Sequence, residues 1–174
     1  MRSGRTERQL QMGEGVKRAH RYSVRVRWTG NRGEGTRSYR AYSRDHEILA
    51  DGKPPIPASS DPHFRGDAAR WNPEELLVAS LSACHQLWYL HLCAVNGVVL
   101  TAYEDAAEGS LDERPDGSGE FTRVVLRPRV TIAAGDPQRA LELHDEAARL
   151  CYIARSVNFE VAHEPTVERR DDGA

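Results

Sequence analysis

The segment Asn72-Pro-Glu-Glu-Leu-Leu-Val-Ala-Ser-Leu-Ser-Ala-Cys84 begins the longest element of this chain and constrains how the rest packs. Asn72 has a side-chain oxygen that can accept a backbone hydrogen bond, and Pro73 suits the first helical position, where no N–H is needed. Glu75 stands where a carboxylate completes a capping box. Apolar residues then recur at helical spacing. The pattern predicts one long helix from Pro73 to about Val95, apolar on most sides, with Cys84 near its middle.

The composition indicates one domain without a strong electrostatic preference. The 174 residues are 39% hydrophobic and 29% charged, with a formal net charge of −2. A chain of this size can form one hydrophobic core, and its charge gives no reason to expect nucleic acid or an anionic membrane as a partner. Three cysteines are too few for a disulfide scaffold and suit a reducing compartment. Because no secretory signal and no run of 18 apolar residues is found, we expect a cytoplasmic protein without a membrane span.

The sequence divides into three parts of unequal length. Residues 1–20 are polar and rich in arginine, glutamine and glycine, which predicts a flexible tail. Residues 169–174 predict a frayed C-terminus. The segment 21–168 is expected to form the single domain.

The first part of the domain predicts three strands. Apolar and polar residues alternate over 22–28, and a glycine-rich turn over 29–35 is followed by a second candidate strand at 36–43. A short third strand is expected at 46–49. The segment 51–70 is rich in Pro, Ser and Asp, which predicts a long loop at the rim of a pocket.

The second part of the domain predicts a hairpin and a closing strand. The strands at 98–103 and 121–132 flank the segment 112–119, whose proline and two glycines indicate a hairpin tip. A closing strand is expected at 158–167. Pro165 cannot donate a backbone hydrogen bond, which places this strand near a sheet edge.

A second helix and the order of elements together predict the fold class. Asp136 and Pro137 repeat the cap-then-proline pattern and begin a helix whose apolar stripe includes Cys151. The order of three strands, helix, two strands, helix and strand predicts an α+β fold, with an antiparallel sheet packed against two main helices. A long apolar helix exposes more apolar surface than a short chain covers. We therefore expect an intertwined homodimer.

Two cysteines are the candidate redox residues. Cys84 and Cys151 each lie in an apolar helical stretch, and a single cysteine in such a place is most often a small core residue. Cys84 follows a run of small residues that lets another segment approach closely. Two cysteines on helices that can pack together predict a nucleophile and its resolving partner, and they lack the short spacing of a zinc site.

A charged pair is the candidate activator of the nucleophile. A thiolate needs a nearby cation, and Arg32 in the glycine-rich turn is the first candidate, with Arg40 and Arg44 as alternatives. Glu74 is a candidate carboxylate to orient the guanidinium, although a carboxylate at a helix N-terminus is also favoured by the helix dipole. Glu74 precedes Cys84 by about 15 Å of helical rise. If both residues serve one site, Glu74 must come from a second subunit, or Arg32 must bridge a dimer interface.

Cys93 is a second candidate for the resolving thiol, and the histidines of the first helix are candidates for a metal site. Cys93 lies about 180° around the helix from Cys84 and is therefore expected to be a core residue. His85 and His91 do not form an i,i+4 pair, so we expect no metal. His144 in the second helix is expected to pack or to hydrogen-bond.

Together these residues resemble the OsmC/Ohr family of thiol-dependent hydroperoxide reductases. The resemblance extends from about residue 22 to residue 167. It rests on Trp28-Thr-Gly, Arg32-Gly-Glu-Gly-Thr36, Asn72-Pro-Glu-Glu-Leu-Leu77, Ser82-Ala-Cys84 and Cys151.

The resemblance implies a function and a set of roles. Cys84 would be the peroxidatic cysteine and Cys151 the resolving cysteine, with Arg32 and Glu74 as the pair that activates the thiolate. The family fold is an intertwined homodimer with active sites at the interface. The implied substrate is an organic hydroperoxide, and the implied reductant is an external thiol, either a dithiol of the lipoyl type or a small thiol. No metal or other cofactor is implied.

The chain also differs from better-known members of that family. His85 directly follows the nucleophile, and the residues at 86–91 are bulky. These differences predict a divergent subgroup. They also motivate an alternative function, a weakly active small-molecule-binding or redox-sensing dimer.

Overall fold

The computed structural model describes residues 19–170. Most of the predicted tail at 1–20 and of the predicted frayed end at 169–174 lies outside these residues. The described part contains nine strands, two α-helices and two short 3₁₀ helices. In chain order they are β1 Arg25–Trp28, β2 His46–Leu49, β3 Ile56–Ala58, a 3₁₀ helix Pro62–Phe64, α1 Pro73–Val95, β4 Val99–Asp105, β5 Glu108–Glu113, β6 Gly119–Leu126, β7 Pro128–Ala134, α2 Pro137–Leu150, a 3₁₀ helix Ala154–Ser156, β8 Glu160–His163 and β9 Thr166–Arg169.

The long helix forms where its capping residues predicted it. The side chain of Asn72 accepts a hydrogen bond from the Glu75 N–H at 2.7 Å, and the Glu75 carboxylate accepts one from the Asn72 N–H at 3.2 Å. This reciprocal pair satisfies two donors that the first helical turn leaves free. The helix ends at Val95, and Gly97 follows in a left-handed conformation with φ of 71°. The prediction for α1 is confirmed at both ends.

Three small sheets of three strands accompany the helices. Their orders are β1-β2-β3, β4-β7-β9 and β5-β6-β8. The α+β fold class is confirmed. However, the expectation of wholly antiparallel pairing is wrong, because β8 pairs with β6 and β9 with β7 in parallel. Parallel neighbours need a crossover connection, and α2 lies in that connection between β7 and β8. As a result β8 runs in the same direction as β6, and β9 runs in the same direction as β7.

The predicted strand at 36–43 is wrong. The segment between β1 and β2 is a loop closed by backbone hydrogen bonds from Ser43 to Gly30 at 3.0 Å and from Thr29 to Asp45 at 2.9 Å. The side chain of Asn31 accepts hydrogen bonds from the backbone N–H groups of Gly33 and Gly35. Within 36–43 itself, the Ala41 N–H donates to the Ser38 carbonyl at 3.0 Å, so the chain turns there instead of extending.

The middle hairpins also differ from the prediction. The predicted strand at 121–132 is broken before Pro128, and its two halves, β6 and β7, belong to different sheets. The first half pairs with β5, a strand that the sequence pattern did not predict, and the second half pairs with β4. The side chain of Asp105 accepts a hydrogen bond from the Arg127 N–H at 2.7 Å and holds the break in place.

The second helix begins where it was predicted and ends just before Cys151, and the predicted closing strand is divided in two. The Asp136 side chain accepts a hydrogen bond from the Gln138 N–H at 3.1 Å, and Cys151 is the C-cap residue of α2. The closing segment forms two strands separated at Pro165, and each is an edge strand of its sheet. The expected edge position is therefore confirmed.

The core lies between α1, α2 and the sheets and has two clusters. One contains Tyr89, Leu92 and Cys93 of α1 with Leu143 and Ala147 of α2. The other is centred on residues of α1 and β6: Leu81, Val124 and Leu126. The candidate site lies where α1 faces the end of α2.

Much apolar surface of a single chain stays exposed. In length and composition α1 could span a membrane, with a mean hydropathy of 1.2 over 18 residues, of which 28% are buried. The central helix of a domain has the same composition, and α1 packs against α2, β4 and β5 as such a helix does. Leu87 on α1 is 67% exposed, and Val26 in β1 is 66% exposed.

Candidate active site

The structure brings Cys84 and Cys151 together. Cys84 is half-buried on α1, and Cys151 is 1% exposed at the C-terminal end of α2. The two thiols are close enough for Cys84 to raise the pKa of Cys151. Both thiols are free, so the pair is in its reduced form. A disulfide between them would join the two helices that form the core.

The surroundings of Cys151 keep this residue protonated at neutral pH. Burial and, to a smaller degree, the interaction with Cys84 raise the pKa of the Cys151 thiol to about 11, although the Ala154 N–H acts against this shift by donating to the Cys151 sulfur at 3.3 Å. Cys84 is the more exposed of the two sulfurs, so it is the one that a substrate can reach first.

The candidate arginines lie in the loop between β1 and β2. Arg32 and Arg40 are exposed, whereas Arg44 is half-buried. The guanidinium carbon of Arg44 lies 4.1 Å from the ring centre of Tyr39 and 4.4 Å from that of Tyr42, and one guanidinium nitrogen donates to the Tyr42 carbonyl. Arg44 thus holds the loop together through cation–π contacts. Within one chain the structure does not join any of the three arginines to the cysteine pair.

Glu74 also lies apart from the cysteines. It lines a groove of about 590 Å³ beside α1, whose apolar lining includes Trp71, Val78 and Phe121. Cys84 is not among the lining residues, although its neighbours Ala83 and Gln86 are, so it lies on a different face of α1 from the groove. Leu81 is completely buried in the core and does not line the groove either.

The sequence pattern missed a cluster of three histidines next to the cysteine pair. His85 is 1% exposed, and its Nε2 atom lies 3.0 Å from Nδ1 of the fully buried His144. The ring of His163 lies 5.7 Å from that of His85, and its Nε2 atom lies 2.8 Å from Asp145. The sequence does contain a partial signal for this cluster. His144 lies seven residues before Cys151 and therefore on the same face of the helix. The position of His163 depends on the pairing of β8 with β6 and was not visible from periodicity.

The buried histidines are neutral at physiological pH. Burial lowers the pKa of His85 to about 4, and the charge of His163 acts in the same direction. Burial likewise lowers the pKa of His144 to about 3, with smaller contributions from His85 and His163.

Among residues 19–170, no group of three or more His, Cys, Asp or Glu side chains is arranged to hold a metal ion.

Comparison with known proteins identifies the family. A family model described as OsmC-like protein matches residues 66–165, which contain both cysteines and α1. The chain belongs to the OsmC-like family. The motifs around Asn72 and Cys84 predicted membership of this family, and the comparison confirms it.

Several solved structures share this OsmC-like fold. An OsmC-like protein of unknown function from Vibrio cholerae has 34% sequence identity and a TM-score of 0.77, over 85% of this chain and 100% of that one. An OsmC-like protein from Mycoplasma pneumoniae has 13% identity and a TM-score of 0.67, over 86% of this chain and 98% of that chain. An organic hydroperoxide resistance protein from Legionella pneumophila has 18% identity and a TM-score of 0.60, over 87% and 99% of the two chains. Comparison with curated proteins gave no match.

Proposed function

We propose that this OsmC-like protein is a cysteine-based peroxidase that reduces organic hydroperoxides to alcohols. The observation that supports it most directly is the proximity of the two cysteines: the buried Cys151 thiol is close enough to the more exposed Cys84 to be perturbed by it. This proximity allows Cys84 to react first and Cys151 to form a disulfide with it. The alternative is a redox-sensing dimer that is oxidised once and turns over poorly.

The first step oxidises Cys84. Its thiolate attacks the distal oxygen of the hydroperoxide, and the oxygen–oxygen bond breaks. The alkoxide takes a proton and leaves as an alcohol, and Cys84 becomes a sulfenic acid. Arg32 and Glu74 are proposed to orient and activate the thiolate, as the family resemblance implies.

The second and third steps return Cys84 to its reduced form. Cys151 attacks the sulfenic sulfur, which forms the disulfide and releases water. An external dithiol, of the lipoyl type in this proposal, then reduces the disulfide by exchange. The cysteines carry both electrons, so the cycle needs no metal, haem or flavin.

The site is proposed to be complete only in a homodimer. Glu74 and Cys84 are about 15 Å apart along one helix, and Arg32 lies in an exposed loop beside a sheet that makes few contacts with the rest of its own chain. A second copy that covers the exposed apolar faces of α1 and β1 would bring its loop and its Glu74 to this site. Burial of residues such as Leu87 and Val26 provides the driving force.

The substrate class and the location follow from the same features. In the proposed dimer, the groove that contains Glu74 would meet Cys84 of the second copy. Its carboxylates lie beside the apolar side chains of Trp71, Val78 and Phe121, and these apolar side chains favour alkyl or lipid hydroperoxides over hydrogen peroxide. The Legionella pneumophila neighbour is an organic hydroperoxide resistance protein, which is consistent with this class. Three free cysteines suit a reducing cytoplasm, and no nucleic acid or membrane partner is proposed.

A peroxidase assay tests the proposal. Purified protein is mixed with cumene hydroperoxide and dihydrolipoamide, and hydroperoxide consumption is followed together with alcohol formation. We expect multiple turnovers in the wild type and in the control Cys93→Ala, whose position is in the buried core. Cys84→Ser should consume none. No consumption by the wild type, or full activity in Cys84→Ser, would contradict the proposal, and one oxidation without turnover would favour the redox-sensing alternative.

A further inference from the structure

A small cavity lies directly beside the buried Cys151. Its volume is about 30 Å³, and its lining includes Cys151, His85 and His163 together with apolar side chains of α1, β6 and β8. A water molecule needs about 10–15 Å³ of such space and at least two polar partners. The cavity therefore has both the room and the polar groups for a water between the thiol and the imidazole rings.

The resolving thiol needs a route for its proton. Only a thiolate attacks another sulfur efficiently, and Cys151 is buried as a protonated thiol. Bulk water does not reach it, because its exposed fraction is 1%. The cavity and its two histidines provide a path from the sulfur.

The two histidines differ in their ability to take this proton. His85 is buried, and its Nε2 atom is engaged with His144, so a positive charge there is desolvated. His163 is 21% exposed at its side chain and pairs at 2.8 Å with Asp145, a carboxylate that is itself 68% exposed. A carboxylate on Nε2 stabilises the imidazolium and leaves Nδ1 as the ring's acceptor atom.

We propose that His163, held by Asp145, accepts the proton of Cys151 through a water in this cavity and releases it to solvent. His163 is the proton acceptor of the resolving step, and Asp145 is a positioning residue. The inference takes the attack of Cys151 on Cys84 from the proposed function and adds the base that this attack requires.

The resolving step moves one proton from Cys151 and forms one sulfur–sulfur bond. The Cys151 S–H bond breaks, and its proton passes through the water to Nδ1 of His163. The sulfur forms a bond to the Cys84 sulfur, and the sulfur–oxygen bond of the sulfenic acid breaks. The departing hydroxide takes a proton from solvent at the partly exposed Cys84 and leaves as water. Cys84 sulfenic acid is reduced, and the Cys151 thiol is oxidised.

The titratable groups around this path come from three elements. From α1, Cys84 contacts Cys151 and His85 faces His163. From α2, His144 bonds to His85 and Asp145 bonds to His163. Beside the end of β8, Glu164 pairs with Arg127 at 3.0 Å, and the same guanidinium also pairs with Glu108 at 2.6 Å.

A disulfide reagent tests the inference without any peroxide. Cys84 attacks 5,5′-dithiobis(2-nitrobenzoic acid) and releases one equivalent of thionitrobenzoate. Cys151 then displaces the second equivalent and forms the Cys84–Cys151 disulfide. Stopped-flow absorbance resolves the two phases, and Cys151→Ser, which should release only the first, identifies the second phase.

His163→Gln is the principal variant, and His63→Gln is its matched control at an exposed position before α1. We expect the first phase to stay within about twofold in both, and the second phase of His163→Gln to slow at least about tenfold at pH 7. The second-phase rate of this variant should rise about tenfold per pH unit, because only hydroxide then removes the thiol proton. The wild type should have a shallower slope.

Asp145→Asn tests the inference at an exposed position, so it is informative even if His163→Gln does not fold. It should slow the second phase severalfold and leave the first unchanged. Unchanged second-phase rates and pH slopes in the folded variants would overturn the inference. A wild type that fails to consume hydroperoxide while the second phase depends on His163 would contradict the proposed peroxidase function alone.

Discussion

The Nε2 atom of His85 lies 3.0 Å from Nδ1 of His144, and their rings are almost parallel, with an interplanar angle of 8°. His144 is also stacked on Tyr89, with ring centres 3.7 Å apart. Such a pair is stable only when both rings are neutral, because two buried imidazolium ions would repel each other without solvent to screen them. The same pair separates the aromatic core around Tyr89 from the cavity beside Cys151.

The neutral histidine pair should make the fold sensitive to acid. The pKa values of His85 and His144 are lowered from 6.5 to about 4 and about 3, so the unfolded chain binds protons below pH 6.5 that the folded chain does not. The free energy of unfolding should be highest above pH 6.5 and fall as the pH decreases toward 4, by up to about 1.4 kcal/mol per pH unit for each histidine. Thermal melts between pH 4.5 and 8 measure this dependence.

Two variants separate this effect from general acid denaturation. His144→Phe keeps a ring beside Tyr89 but removes one titrating group, so its melting temperature should depend less steeply on pH between 4.5 and 6.5. His91→Gln removes an exposed histidine and should keep the wild-type slope. Equal slopes in all three proteins would show that the buried pair does not control acid stability.

Cys151→Ser should separate oxidation from resolution. Cys84 should still react once with cumene hydroperoxide, but its sulfenic acid has no partner thiol and should accumulate or oxidise further. Mass spectrometry after dimedone trapping should find the adduct on Cys84 in this variant and little adduct in the wild type. Continued multiple turnover with dihydrolipoamide would count against Cys151 as the resolving residue.

Arg32 is expected to be the arginine that activates Cys84. Arg44 is engaged with Tyr39 and Tyr42, whereas Arg32 is exposed and available to a second chain. Arg32→Ala should slow the reaction of Cys84 with hydroperoxide by about 10- to 100-fold, the usual loss when one charge-stabilising group is removed. Pre-steady-state kinetics measures it, and an unchanged rate would redirect the assignment to Arg40 or Arg44.

The capping box should contribute measurably to stability. Asn72→Ala leaves the Glu75 N–H without its acceptor, so the free energy of unfolding should fall by about 1 kcal/mol. For a chain of this length, the melting temperature should then fall by about 2–4 °C. Glu75→Gln keeps both hydrogen bonds of the box and should melt close to the wild type. Equal melting of Asn72→Ala and wild type would mean that the cap is dispensable.

The exposed apolar face of α1 should be an interface between two copies. Sedimentation velocity of the wild type should give about twice the 19.5 kDa mass of one chain. Leu87→Glu introduces a charge on a side chain that is 67% exposed in one chain, and it should weaken the dimer and reduce peroxidase activity with it. Gln138→Glu introduces the same charge on α2 and should leave the mass unchanged. A monomeric wild type with full activity would contradict the dimer and the shared site.

Local sequence signals predicted the elements that local interactions determine. The ends of α1 follow from Asn72, Glu75 and Gly97, and the start of α2 follows from Asp136, because each cap involves residues within a few positions of each other. No strand forms at 36–43 because the chain turns between Ser38 and Ala41 and bonds back from Ser43 to Gly30, which alternation alone does not reveal.

The sequence by itself determined the two helices, the α+β class, and the two cysteines that the family motif marks. Only the tertiary structure decided that Cys151 lies close to Cys84, that the segment 121–132 divides between two sheets, and that His163 reaches the cavity beside Cys151. The physical reason is the same in each case. Periodicity and capping act over a few residues, whereas these contacts join positions tens of residues apart, and packing of the whole chain decides which of them form.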